Sequence, residues 1–154
     1  MHVLLKPADA TFPTTNFPQL VKNVGTNWVH YTLDFDQTTS EAAYWSAAIP
    51  TGVTFTTATL YVFSYQAAAV TGTAGWTITT LTRADGEAWD TAGNADTVTA
   101  DAVEGTAGQV HVQSKALTTT GWAAGELLLV KVARDVADTV AEDIKFMQAV
   151  LVIS

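Results

Sequence analysis

From Trp28 to Asp36 the chain alternates Val29, Tyr31, Leu33 and Phe35 with His30, Thr32, Asp34 and Asp36. That is the period-two signature of a strand with one buried and one wet face. Runs rich in β-branched and aromatic residues predict further strands over 57–66, 75–83, 110–117, 127–134 and 145–153. Two segments are less decided. Residues 41–49 fit either a short helix capped by Ser40 or a strand carrying Tyr44 and Trp45, and 96–103 fit either a strand around Thr97, Val98 and Thr99 or a loop. Between the runs lie turn formers: Pro50-Thr51-Gly52, Asp85-Gly86, Gly93-Asn94, Glu104-Gly105, Thr120-Gly121 and Gly125. Helical periodicity, βαβ alternation and internal repeats are all missing from the pattern. The expectation is an all-β chain, a single antiparallel β-sandwich of the jelly-roll type with about eight strands over residues 28–154.

Residues 1–27 read differently. Pro7, Pro13 and Pro18 fall here among Thr11, Thr14, Thr15 and Asn16, so neither a helix nor a central strand is comfortable and an extended N-terminal arm is expected. The arm nevertheless carries Val3, Leu4, Leu5, Phe12, Phe17, Leu20 and Val21, too many apolar groups for a solvated tail. Phe12, Phe17, Leu20 and Val21 are the expected anchors. They need a groove, either on a neighbouring subunit or on the arm's own domain, where the segment would be a first strand of the sandwich.

Composition sharpens this picture in a few places. At 154 residues the chain fits one domain, and Thr and Ala supply roughly a third of it. The absence of cysteine excludes disulfides, thiolate metal sites and cysteine nucleophiles. A net charge of −8 has the wrong sign for gripping a polyphosphate, which argues against nucleic acid as a partner. Charge is also unevenly placed, about +1 over residues 1–27, −2 over 28–83 and −7 over 84–154. From Ala42 to Thr82 no side chain is charged, yet Pro50, Gly52, Gly72 and Gly75 break the stretch and it alternates where it is most apolar. It therefore reads as strands and not as a membrane span, and no membrane partner is expected. Nor does the opening Met1-His2-Val3-Leu4-Leu5-Lys6-Pro7 have the length or the cleavage site of a secretion signal. Uncharged strands left at an edge would invite pairing, so they are expected either inside the sheets or buried between subunits of a closed oligomer.

Candidate chemistry is sparse. None of the five serines sits in a Gly-x-Ser-x-Gly elbow, and His2, His30 and His111 lack metal-pair spacing, so no catalytic residue, cofactor site or metal ligand set is assigned. Asp34 and Asp36 are the one acid pair with a spacing that suits glycoside hydrolysis, though two acids on a wet strand face are common. The clusters Asp85, Glu87, Asp90 and Asp135, Asp138, Glu142, Asp143 offer oxygen ligands without the spacing of a calcium loop; Arg134 is expected to pair with Asp138 or Asp135. Of five tryptophans, Trp89 and Trp122 lie next to loop residues and are the expected exposed pair, able to stack on sugar rings.

One resemblance adds to this. The stretches Leu33-Asp34-Phe35-Asp36, Glu41-Ala42-Ala43-Tyr44-Trp45, Ile49-Pro50, Leu60-Tyr61-Val62-Phe63, Asp85-Gly86-Glu87 and Val132-Ala133-Arg134-Asp135-Val136-Ala137-Asp138-Thr139 resemble small jelly-roll structural proteins of tailed bacteriophages. The likeness covers residues 28–154 and its motifs are structural. It implies a non-enzymatic virion component, a capsid decoration (cement) protein on the head exterior, assembled in the host cytoplasm and partnered by the major capsid protein and by copies of itself, preferably as a trimer. No catalytic residue carries over. The alternative expectation is a carbohydrate-binding or receptor-binding β-sandwich of a fibre or tail, resting on the tryptophans and the acidic loops.

Overall fold

The structure, a computed structural model, describes residues 1–135 and 137–154; Val136, within the last of the motifs quoted above, lies outside the described residues. Ten strands form two antiparallel sheets. The first sheet contains β1 (His2–Leu5), β2 (Gln19–Val24), β3 (Val29–Phe35), β5 (Ala58–Tyr65), β8 (His111–Ala116) and β10 (Ile144–Ile153). The second contains β4 (Ala42–Ala48), β6 (Thr73–Arg83), β7 (Asn94–Ala102) and β9 (Leu127–Arg134). From β3 onward the chain lays down the orders β3-β10-β5-β8 and β4-β9-β6-β7, a jelly roll of eight strands, as expected. Both undecided segments are strands. In β4 the reason is visible in its burial: Ala43 and Trp45 point inward while Tyr44 and Ser46 point out, a period a helix does not keep.

The core lies between the sheets and is organised on aromatics. Phe35 and Phe146 meet Trp76 edge-on, with ring centroids 5.2 and 5.9 Å away, and Trp45 packs on Phe146 at 5.6 Å. Trp76 is fully buried and its indole N–H donates to Gln113 Oε1 at 3.0 Å. Gln113 Nε2 donates in turn to the carbonyls of Ala74 (2.9 Å) and Thr99 (3.3 Å), so the Trp76 indole N–H is satisfied by a side chain that ties β8 to the opposite sheet.

Residues 1–27 are extended, but two stretches of them are strands of this sandwich. β1 pairs with β10 from His2↔Val152 to Leu5↔Ala149, and β2 pairs with β3 from Gln19↔Asp34 to Val24↔Val29. The ladders are thus made within the chain, and the expectation of a neighbour's groove is not what these two strands fulfil. The prolines allow it because they fall between the strands: Pro7 opens a 3-10 turn, and Pro13 and Pro18 sit in the connection. Of the expected anchors, Phe12, Phe17 and Leu20 are exposed and Val21 is half-buried.

β1 also takes the place on β10 that the first half of β3 would have used. β3 meets β10 only from Leu33 to Phe35, so the β2–β3 hairpin projects at its tip. Leu20, Val24, Val29 and Tyr31 continue the core-facing side of Leu33 but are exposed, and Trp28 at the turn is 82% exposed. Of the three strands in the uncharged stretch, β5 and β6 find partners on both sides, while β4 is an edge of the second sheet, met on its outer side only by the bridge from Thr11. β5 lies between β10 and β8, and β6 between β9 and β7, so neither is an edge needing charge as protection.

Candidate binding cleft

The outer face of the second sheet is built in cross-strand rows. Tyr44 stands opposite Lys131 and Lys131 opposite Thr79; one row along, Ser46, Leu129 and Leu81 line up in the same way. These side chains point outward because their neighbours Trp45, Val130 and Thr80 point into the core. The Lys131 ammonium lies 5.9 Å from the centroid of the Tyr44 ring and holds the phenol against the sheet by a cation–π contact.

Two walls rise from this floor. On the β4 side, Thr11 forms an isolated bridge with Tyr44, donating its N–H to Tyr44 O at 2.8 Å and accepting from Tyr44 N–H at 3.0 Å, which sets Phe12 and Pro13 beside the edge strand. On the other side the β6–β7 loop carries Trp89 and Asp90. It is drawn close to β6 by Gly93, where a Cβ would stand 2.4 Å from the Thr80 carbonyl oxygen, a separation only glycine permits. Between the walls lies a cavity of about 500 Å³ lined by Phe12, Pro13, Tyr44, Ser46, Trp89 and Leu129. A second, of about 350 Å³, is lined by Thr79, Leu81 and Lys131 and shares Tyr44, Trp89, Asp90 and Leu129 with the first. The Trp89 indole is 71% exposed in a place where three aromatic rings gather, with hydroxyls, one carboxylate and one ammonium around them. Such a surface can stack on the apolar face of a ring and hydrogen-bond its substituents.

The other residues singled out from the sequence have structural work. Trp122 is 8% exposed and packs edge-on against Phe55 at 6.2 Å, so the expected exposed pair is instead Trp89 with Trp28. Asp34 is ion-paired with Lys145 across the β3–β10 ladder and accepts from the Thr32 hydroxyl at 2.6 Å. Asp36 caps a turn, accepting from the Thr38 N–H and hydroxyl and the Thr39 N–H, and these bonds, that of the Thr38 hydroxyl foremost, hold its carboxyl below the usual range. The two acids are engaged separately and do not form a catalytic pair. Burial raises the Glu41 carboxyl, against the bond it accepts from Asp36 N–H at 2.7 Å, and burial with the Asp34 charge raises the Tyr65 phenol. His111 is buried, 3.9 Å from Glu104, and His30 packs edge-on against Tyr65. Among the described residues no three His, Asp or Glu side chains are placed to hold a metal ion.

No family model matches the chain, and no curated protein does. Solved structures do. A family 35 carbohydrate-binding module from Clostridium thermocellum superposes with a TM-score of 0.57 at 8% identity, over 97% of either chain. The fold is shared with such modules. The CBM35 of Cellvibrio japonicus Abf62 gives 0.53 at 13% identity, over 99% of this chain and 93% of that one. An isomalto-dextranase of Arthrobacter globiformis T6, complexed with panose, gives 0.53 at 18% identity, over 97% of this chain but 23% of the enzyme. At these identities the likeness concerns architecture, and the β-sandwich is where it stops.

Of the cleft residues, Trp89 stood out in the sequence as an exposed aromatic and Phe12 as an anchor of the arm. Their meeting was not legible, because it depends on the Thr11–Tyr44 bridge between positions 33 residues apart. Tyr44 had one available signal, an aromatic at an outward position of an alternating segment.

Proposed function

We propose that this chain is a non-catalytic carbohydrate-binding β-sandwich that takes its ligand on the outer face of the second sheet. The observation that carries the reading is the exposed Trp89 indole standing across a cleft from Phe12 over a floor of Tyr44 and Leu129. The shared architecture of the carbohydrate-binding modules supports it. A glycan array followed by titration calorimetry on the hits tests it. Binding should be weakened by about tenfold or more in Trp89→Ala and kept in Tyr61→Ala, whose ring is exposed on the other sheet. EDTA should leave it intact, since Asp90 is the single carboxylate lining the cleft. An array with no hit, or hits indifferent to Trp89, would reject the reading.

A second reading, the capsid decoration protein implied by the phage resemblance, is favoured by the β2–β3 hairpin. From its base to its tip it exposes Leu20, Tyr31, Val24 and Val29 on the side that continues the core face of Leu33, with Trp28 exposed at the turn, an apolar patch of the kind that mediates association. Light scattering at micromolar concentration separates the two. A mass that is a multiple of 16.3 kDa, reverting to the monomer in Trp28→Ser, supports association through the hairpin, and a monomeric wild type counts against it.

A further inference from the structure

We propose that the cleft selects a linear, uncharged oligosaccharide of at least two sugar units, one in each of its two lobes, with Trp89 over the linkage between them. This rests on the carbohydrate-binding reading and goes beyond it in naming the class and length of ligand.

The lobes are distinct in lining and continuous in space. Both include Tyr44, Trp89, Asp90 and Leu129, so the indole stands at their boundary. From there one lobe leads toward the edge strand β4 and ends at Thr11, Phe12 and Pro13. The other leads the opposite way, across β9 to Thr79 and Leu81 on β6. The floor therefore crosses three adjacent strands, β4, β9 and β6. With neighbouring strands about 4.8 Å apart, that crossing is roughly 10 Å, the span of a disaccharide and too long for one ring. Cavities of about 500 and 350 Å³ each fall in the range that accepts a small ligand, so a single sugar would leave one of them filled only with water.

The lobes differ in what they offer. The first is aromatic, with Phe12 and Tyr44 facing Trp89, and suits a sugar held by stacking. The second is also mainly apolar, with Leu81 and Leu129 on its floor, but it adds the Thr79 hydroxyl and the Lys131 ammonium, which can hydrogen-bond the hydroxyls of a sugar resting there. Charge decides the class. Lys131 and the shared Asp90 offset each other locally, in a chain of net charge −8 that repels a polyanion. A chain of uronic acids gains nothing here, whereas an uncharged chain keeps the stacking and the hydroxyl bonds.

The experiment is calorimetry, with tryptophan fluorescence compared between wild type and Trp89→Phe as a second readout, on the neutral series from glucose to its β-1,4- and α-1,6-linked di- to hexasaccharides and from xylose to its β-1,4-linked ones, with oligogalacturonates as charged probes. Affinity should rise at least tenfold from mono- to disaccharide in one neutral series and change little beyond the tetrasaccharide. Lys131→Met should shrink the gain on the second unit, and Phe12→Ala should weaken every bound probe. Near-UV circular dichroism checks that both variants keep the fold. A monosaccharide bound as tightly as the longest oligomer, or tighter binding of oligogalacturonates, overturns the two-lobe inference while leaving carbohydrate binding standing. No binding by any probe, with a glycan array equally empty, overturns both.

Discussion

Arg134 and Asp138 face each other as a closed fork. Nε donates to Oδ2 at 2.5 Å and Nη2 to Oδ1 at 2.8 Å, with both side chains almost wholly buried. The remaining N–H groups reach the carbonyls of Phe35 (3.2 Å), Val140 (2.7 Å) and Glu142 (2.8 Å), so all five guanidinium donors are used. One side chain at the end of β9 thereby joins the end of β3 to the segment leading into β10. Arg134→Met should destabilise the fold by about 3–5 kcal/mol, because it leaves the Asp138 charge buried and three carbonyls unpaired. Arg134→Lys should recover little, since an ammonium cannot make the fork. Chemical denaturation of the two variants measures both effects.

The two tryptophans first grouped together should separate cleanly. Trp122→Ala removes a buried ring and should cost about 3–5 kcal/mol in stability. Trp89→Ala should leave the melting temperature nearly unchanged and weaken sugar binding by about tenfold or more, as expected for a central aromatic contact. Thermal melts set beside calorimetry distinguish the two patterns.

Gly93→Ala should act on the cleft through the loop that carries Trp89. Its added methyl would meet the Thr80 carbonyl, so the loop carrying Trp89 must shift off β6. Weaker binding with a changed Trp89 emission maximum is the expected outcome, and an unaltered spectrum would show that the loop is not held there.

Removal of β1 bears on whether the first residues belong to the sandwich. Leu5 is 1% exposed, its strand hydrogen-bonds to the centre of the first sheet, and the Met1 ammonium donates to Ile153 O at 2.6 Å. Leu5→Ala should cost about 2–5 kcal/mol, and deletion of residues 1–6 should cost more and broaden the unfolding transition. A truncated chain as stable as the full one would return these residues to the role of a detachable arm.

Glu41 and Asp36 should pull stability in opposite directions with pH. The folded state raises the Glu41 pKa, so the native protein holds that proton better than the unfolded chain, and stability falls as pH rises from 4.5 through the native value. Asp36 is lowered, so its contribution is present above pH 3.8 and is lost as pH falls further. Glu41→Gln keeps an oxygen to accept from Asp36 N–H while removing the buried charge. The variant should therefore gain on the wild type between pH 4.5 and 7, as measured by urea titrations across that range.

Much of the jelly roll was legible because its strands alternate strictly. The segment predicted over 127–134 coincides with β9, and every other predicted run overlaps a strand. What stayed open was whether residues 1–27 lie on a neighbour or form a first strand of their own sandwich, and the cause is local. Three prolines within 18 residues outweigh a four-residue strand such as His2–Leu5, and Gln19–Val24 does not alternate apolar with polar positions. The Arg134 pair was half legible: the sequence offered Asp135 and Asp138 as partners without deciding between them, and the structure pairs Arg134 with Asp138. Trp122 was not legible, since its burial comes from Phe55, a residue 67 positions earlier that no periodicity links to it.

β10, the latest of the ten strands in chain order, is the member of the first sheet on which β1, β3 and β5 all depend. During synthesis the earlier strands of that sheet must wait, with β1 held apart from its partner until some 140 residues have followed it. Contacts this distant in sequence slow the search, placing refolding in the millisecond-to-second range of high-contact-order β proteins. Through that interval the apolar edges of β3 and β5 lack their shared neighbour, so the nascent chain is open to mispairing and should refold with better yield when dilute.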